Sequence, residues 1–151
     1  MPMSHYVQQL RTSIGNSLLL LPAVTAVIHS GGKFLIARQR DTSLWSLVGG
    51  GVEPYETPEA AIAREVAEEL AVTPRVGRVV GAYGGPDLAA TYPNGDQVSY
   101  VTVAYKCELP YEPSELEQDE LIEIAWHDRA TIGQLPRHTW IDRVLDDAAR
   151  Q

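Results

Sequence analysis

Cysteine is almost missing from the 151-residue chain, and Cys107 alone can close no internal disulfide and build no thiolate zinc site. Basic residues are also few. Twelve Lys and Arg stand against twenty Asp and Glu, a net charge of −8, which disfavours steering toward duplex DNA or other polyanions, so no nucleic-acid partner is expected. That acidity still admits a small phosphate-bearing ligand, because a divalent metal held by carboxylates reverses the local field. Long apolar runs are lacking as well. The longest, Leu18 to Ile28, is eleven residues and is broken by Pro22, well short of the ~20 that span a bilayer, so no membrane partner is expected. The order of a secretion signal is absent from Met1 to Asn16, which reads polar and helical, and a cytoplasmic location is expected. With no repeat or low-complexity tract, 44% apolar and 21% charged residues, residues 1–151 read as one globular domain.

The residues that are present lay out an alternation of elements. Tyr6, Val7, Leu10 and Ile14 recur at helical spacing between Ser4 and Gly15. Ala23 to His29 and Lys33 to Arg38 read as strands joined by the Gly31-Gly32 turn. Residues 39–46 read as a loop, and Gly49 to Gly51 lie where neither strand nor helix interior favours glycine, which implies a special backbone conformation. Thr57 as N-cap and Pro58 at the first position start a helix that runs to Leu70 before Thr73-Pro74 stops it. Arg75 to Tyr83 and Gln97 to Glu108 read as strands flanking a Gly- and Pro-rich loop; Leu121 to Trp126 follows as a strand, and Trp140, Val144 and Leu145 mark a closing helix. The class is α+β, a mixed β-sheet flanked by helices.

One helix carries unusual charge. At 100° per residue Glu65, Glu68 and Glu69 stand at about 0°, 300° and 40°, within one ~100° arc, while Ile62, Ala63, Val66 and Leu70 form the adjoining stripe that faces the sheet. Two carboxylates ~6 Å apart repel by roughly 3 kcal/mol at an effective dielectric of ~20, and Arg64 can pair with only part of that charge. Two readings stay open at this point: a solvated acidic face, or acids gathered for a divalent metal.

Gly50, Glu56, Arg64, Glu65, Glu68 and Glu69 also fall at fixed spacings that chance would produce about 10⁻⁵ to 10⁻⁴ times per chain of this length. The stretch Gly50 to Val72, GGVEPYETPEAAIAREVAEELAV, resembles the box of the Nudix hydrolase family, G-x5-E-x7-R-E-U-x-E-E-x-G-U. One position departs: Ala71 stands where the family has glycine. The resemblance implies a Nudix-type α/β/α sandwich. It further implies magnesium, or manganese, held by Glu65, Glu68, Glu69 and the carbonyl of Gly49, with Glu120 as a late-chain ligand and Glu65 as the usual candidate for the base. Arg64 and Glu56 would orient the carboxylates, and Gly50 and Gly51 would admit phosphates. Tyr92, in the turn Tyr92 to Asp96, is a candidate to stack on a base, as are Tyr83 and Trp45. The implied activity is hydrolysis of a nucleoside diphosphate linked to another moiety, ADP-ribose or a related nucleotide sugar being favoured because Pro86 lies near where ADP-ribose-hydrolysing members have a proline. Alternatives are a house-cleaning (d)NTP pyrophosphohydrolase and a non-catalytic nucleotide sensor. A homodimer is compatible with the resemblance, the N-terminal helix offering a contact. His29, His127 and His138 share no ligand spacing and read as structural or surface residues, and Cys107 as a small buried hydrophobe.

Overall fold

In the computed structural model, which describes residues 3–151, the chain opens with helix α1 (His5–Ile14), its first turn capped by the Ser4 hydroxyl accepting from Val7 N. Strands β1 (Leu19–Ser30), β2 (Lys33–Gln39), β3 (Trp45–Ser46) and β4 (Val48–Gly51) lead to helix α2 (Pro58–Leu70). Strand β5 (Arg75–Tyr83), a 3₁₀ turn at Pro86–Leu88, and strands β6 (Ala89–Thr91), β7 (Gln97–Glu108) and β8 (Leu121–His127) follow, before helices α3 (Arg129–Ile132) and α4 (Trp140–Ala149). Among the described residues no helix is long and apolar enough to cross a membrane.

The sheet is mixed and splits into two arms. In one, β1 runs parallel to β7 from Leu19↔Val98 to Ile28↔Cys107, with β4 antiparallel on its other side and β5 and β6 antiparallel to β7. In the other, β2 pairs with β8, β3 and the end of β1. Side chains alternate across the strands, so Val24, Ala26 and Ile28 of β1 pack with Leu35, Tyr105 and the Ile62, Val66 and Leu70 stripe of α2. Val27, Phe34 and Ile36 point the other way, onto Ile132 of α3 and Ile141, Val144 and Leu145 of α4. Helices thus cover both faces of a mixed sheet.

The structure corrects three sequence expectations. Gly49 to Gly51 form no special turn; they are extended in β4, and none has a positive φ. Their reason is close approach: a Cβ on Gly49 would stand 2.2 Å from the Val24 carbonyl oxygen, and one on Gly50 would stand 2.3 Å from Glu65 Cδ. Strand β1 starts at Leu19, ahead of Pro22, because Pro22 lies one residue past the last rung with β4 (Ala23↔Gly51), where its missing N–H breaks no bond of that ladder. Short elements were also missed: β3 and β6 need sheet partners, and α3 is a single turn started by the Asp128 side chain on Thr131 N.

Candidate active site

The α2 helix begins where its capping signals place it, with the Thr57 hydroxyl accepting from Ala60 N. Its buried residues are Ala61, Ile62, Glu65, Val66, Glu69 and Leu70. On the helical wheel these fill an arc from about 320° through 0° to about 140°, so Glu65 and Glu69 sit inside the packed face rather than beside it. Glu65 is fully buried and Glu69 nearly so, whereas the Glu68 side chain is half exposed. A solvated acidic face is thereby excluded for two of the three glutamates. Burial without a full set of partners is costly for a charged carboxylate, and Glu65 Oε2 is buried with no hydrogen-bond partner.

Arg64 is the organising cation. Its Nε and Nη2 donate to Glu56 Oε2 and Oε1 at 2.7 and 2.9 Å, a two-point bridge. Nη2 also donates to the Gly51 carbonyl at 2.9 Å, while Nη1 reaches Glu65 Oε1 at 3.0 Å and Glu68 Oε1 at 3.3 Å. Glu56 accepts in addition from Glu53 N at 3.0 Å, fixing the loop before α2. One guanidinium therefore ties the end of β4, that loop and two turns of α2 into a single unit. The missing Cβ of Gly50 is what lets the Glu65 carboxyl lie against the strand.

The electrostatics divide the acids sharply. The Arg64 bridge holds Glu56 below its ordinary pKa. Burial pushes Glu65 up from 4.5 to about 7, against the pull of Arg64. Burial, then repulsion from Glu65, pushes Glu69 up to about 8, with Glu68 and Glu117 adding to the repulsion. Two carboxyls on successive turns thus share a pocket in which full ionisation is opposed by desolvation and by each other.

Around this pair the other sequence candidates scatter. Gly49 lies opposite Thr25 in the β1–β4 ladder, next to Gly50. Glu120 heads β8, and the segment before it is laid on α2 by Glu117 N donating to the Glu69 carbonyl at 2.9 Å. Glu117, which the sequence reading passed over, is the late-chain acid whose charge Glu69 feels; four acids within the six residues Glu115 to Glu120 gave no signal to choose between them. Tyr92 is not brought to the carboxylates. It lies beyond the Gln97 end of β7, roughly 20 Å of strand from the Val103 register that meets Val24 and Gly50, and its hydroxyl pairs with Tyr100 at 2.8 Å. Trp45 is core, and Tyr83, also core, donates its hydroxyl to Asp147. Among the described residues no three His, Cys, Asp or Glu side chains converge into a ready metal cage. The oxygen-only donor set, the two buried acids and the orphaned Glu65 Oε2 nevertheless fit a hard divalent cation, with Glu68 turned aside to Arg64.

Residues 19–148 match the family model of the NUDIX domain. The CTP pyrophosphohydrolase of Escherichia coli (strain K12) is 37% identical over 68 residues, covering 42% of this chain and 50% of that protein. The ADP-ribose pyrophosphatase of Methanocaldococcus jannaschii is 33% identical over 84 residues, 54% of this chain and 48% of that protein. This chain spans about half the length of these two relatives. The solution structure of the Escherichia coli ORF135 protein superposes with a TM-score of 0.64 at 25% identity, covering 88% of this chain and 91% of that one.

Proposed function

The chain belongs to the NUDIX family, whose members are pyrophosphohydrolases, and on that premise we propose that it cleaves the diphosphate linkage of a nucleoside diphosphate derivative, with ADP-ribose or a related nucleotide sugar as substrate. The observation that carries this reading is the buried Glu65 and Glu69 pair, locked in place by the Arg64 bridge and holding one carboxylate oxygen without a partner. Magnesium or manganese would be held by Glu65 and Glu69, by Glu68 once its side chain leaves Arg64, and by the Gly49 carbonyl and Glu120. When bound, such an ion neutralises diphosphate oxygens and acidifies a water.

The chain's own groups do the rest. The Glu65 carboxylate takes the proton of the attacking water as the water oxygen bonds to phosphorus and the bridging P–O bond breaks, leaving two phosphomonoesters. Arg64 fixes Oε1 of that carboxylate, so the acceptor cannot swing away. Glu56 keeps Arg64 in register, and Gly50 provides the space in which the Glu65 carboxylate sits. Residues 1–151 act as one catalytic domain.

ADP-ribose is preferred to a nucleoside triphosphate on the likeness to an ADP-ribose pyrophosphatase; the comparable likeness to a CTP pyrophosphohydrolase keeps triphosphates as the second reading. A panel of nucleotide sugars, dinucleotides and triphosphates, with Mg²⁺ and with Mn²⁺ and with products identified, tests both. AMP and ribose 5-phosphate from ADP-ribose are expected. Pyrophosphate release from triphosphates as the dominant reaction would favour the second reading, and no metal-dependent hydrolysis across the panel would overturn both.

A further inference from the structure

The loop between β7 and β8 is tied down along its second half. Glu117 N donates to the Glu69 carbonyl at 2.9 Å, Leu121 N to the Glu117 carbonyl at 2.9 Å, and Asp119 N to the Glu117 side chain at 3.1 Å. Arg40, the residue after β2, holds the same segment from another side, its Nε donating to the Gln118 carbonyl at 2.6 Å and its N to the Glu120 carbonyl at 2.8 Å. Beside these ties opens a cavity of about 540 Å³ walled by Arg40, Ser114, Glu115, Leu116, Gln118 and Ile122. Leu116 and Gln118 flank Glu117, so the cavity borders the residue through which the loop meets α2 at Glu69.

Strand β8 contributes an extra residue to this wall. Arg38 pairs with Glu123 and Gln39 with Leu121, which leaves Ile122 out of the β2 ladder and 37% exposed. Bulges of this kind re-aim a side chain and concentrate beside active sites. The volume also falls within the range of about 300 to 1,000 Å³ that small-molecule sites occupy. The lining then selects among ligands. No aromatic ring lines the cavity, so a nucleobase finds no stacking face there. Arg40 and Glu115 carry opposite charges, which disfavours the polyanionic tail of a triphosphate. Among the described residues, neither Glu115 nor the outer nitrogens of Arg40 have a hydrogen-bond or ion-pair partner. With Ser114 and Gln118 they offer donors and acceptors together, which suits sugar hydroxyls that both give and take hydrogen bonds, while Leu116 and Ile122 suit the C–H face of the ring.

We propose that this cavity is the subsite for the sugar on the far side of the diphosphate from the nucleoside, its hydroxyls held by Glu115, Gln118 and Arg40 and its C–H face resting on Leu116 and Ile122. This assignment rests on the nucleotide-sugar reading above and adds where the second sugar sits. The nucleoside's own ribose fits less well, because it carries a base at C1′ for which the cavity has no aromatic face. Position favours the outer sugar too: a group that leaves a diphosphate held at Glu69 in the direction of Glu117 enters the cavity. Arg40 and Glu115 set specificity in this arrangement, since they touch the sugar and no reacting atom.

Two measurements on the intact chain test it. In the first, kcat/KM with Mg²⁺ is compared for ADP-ribose and for ADP carrying a methyl ester on its β-phosphate, which keeps the nucleoside and the diphosphate and lacks the second sugar. Glu115→Ala and Gln118→Ala are each expected to lower the ratio of ADP-ribose to methyl ester by about tenfold, through KM rather than kcat. The Gln118 group that Arg40 holds is backbone, and the exposed Glu115 side chain ties no other element, so both variants are expected to melt with the wild type. In the second, ribose 5-phosphate is titrated into the isotope-labelled chain without metal and amide shifts are followed, with methyl phosphate as control. Shifts at residues 114–118 and Ile122 that need the ribose, and that require about tenfold more ligand in Glu115→Ala, are the expected result. A ratio that neither variant moves, or shifts that methyl phosphate reproduces, would overturn the subsite while the hydrolase reading stands. Ribose-dependent shifts with neither ester hydrolysed would overturn the hydrolase reading and leave the sugar site standing.

Discussion

Helices α2 and α4 both carry acids, yet the two sets live under opposite conditions. In α4, Asp142 accepts two 2.7 Å bonds from Arg137 and faces Arg129, Asp146 takes a 2.6 Å bond from Arg129, and Asp147 accepts from Tyr83 Oη and Arg150. Their surroundings favour charge: the Arg137 bonds hold Asp142 low and the Tyr83 hydroxyl holds Asp147 low. The single arginine of α2, Arg64, is shared among Glu56, Glu65 and Glu68, and Glu65 and Glu69 are pushed up by burial. Acids whose charge is satisfied build the fold. Acids whose charge is opposed are, on the proposal above, the ones that take a cation from outside.

The sharpest way to break this contrast is to neutralise one acid of each kind. Glu65→Gln and Glu69→Gln are expected to lower metal-dependent hydrolysis of ADP-ribose by about two orders of magnitude or more while leaving the metal-free protein folded, as circular dichroism would record. Asp142→Asn is expected to leave turnover unchanged. Near-normal rates in both glutamine variants would place the chemistry elsewhere.

Titration separates the helices next. The Glu65 and Glu69 carboxyls lie at about 7 and about 8 in the fold and return toward 4.5 on unfolding, so the unfolded chain releases these protons first. The stability they lend is complete below about pH 4.5 and drains as pH rises through about 8, a loss on the order of a few kcal/mol. Urea denaturation in EDTA should therefore show a weaker fold at pH 8 than at pH 5, and Mn²⁺ should recover more at pH 8 than at pH 5. A metal-free fold that strengthens from pH 5 to pH 8 would contradict the burial argument.

Two smaller effects follow. Losing one charge of the Asp142 bridge, whose side chains are largely shielded, should lower stability by about 1 to 2 kcal/mol in urea. At the end of α2, Ala71 occupies the left-handed region at φ 56° and ψ 32°, the conformation for which glycine carries no Cβ penalty. Ala71→Gly should stabilise the chain by up to ~1 kcal/mol without changing turnover. A destabilised Ala71→Gly would mean that the entropy of the added glycine outweighs the strain it relieves.

What was legible in the sequence was what local rules govern. Thr57 and Pro58 announced the start of α2, the spacing of Glu65, Glu68 and Glu69 announced shared charge, and alternating Val and Ile announced the long strands. What stayed hidden depends on partners distant in the chain. The glycines of β4 read as a special backbone conformation because propensity registers their freedom, whereas their use is proximity to the Val24 carbonyl and the Glu65 carboxyl. The wheel placed the acids beside the core stripe, since charge alone argues against burial; only the bare Cα of Gly50 across the strand makes room for Glu65 inside it. Glu117 acts on Glu69 through a loop whose path no periodicity encodes.

The central claim is that the buried glutamates of α2 are a divalent-cation site. Titrating the chain with Mn²⁺ and following the free ion by electron paramagnetic resonance tests it directly, at pH 8 and pH 6, for the wild type and Glu69→Gln. Saturable binding at pH 8 that weakens at pH 6 and is lost in Glu69→Gln is the expected result. Mn²⁺ that stays free at pH 8, or that binds equally well without the Glu69 charge, would contradict it.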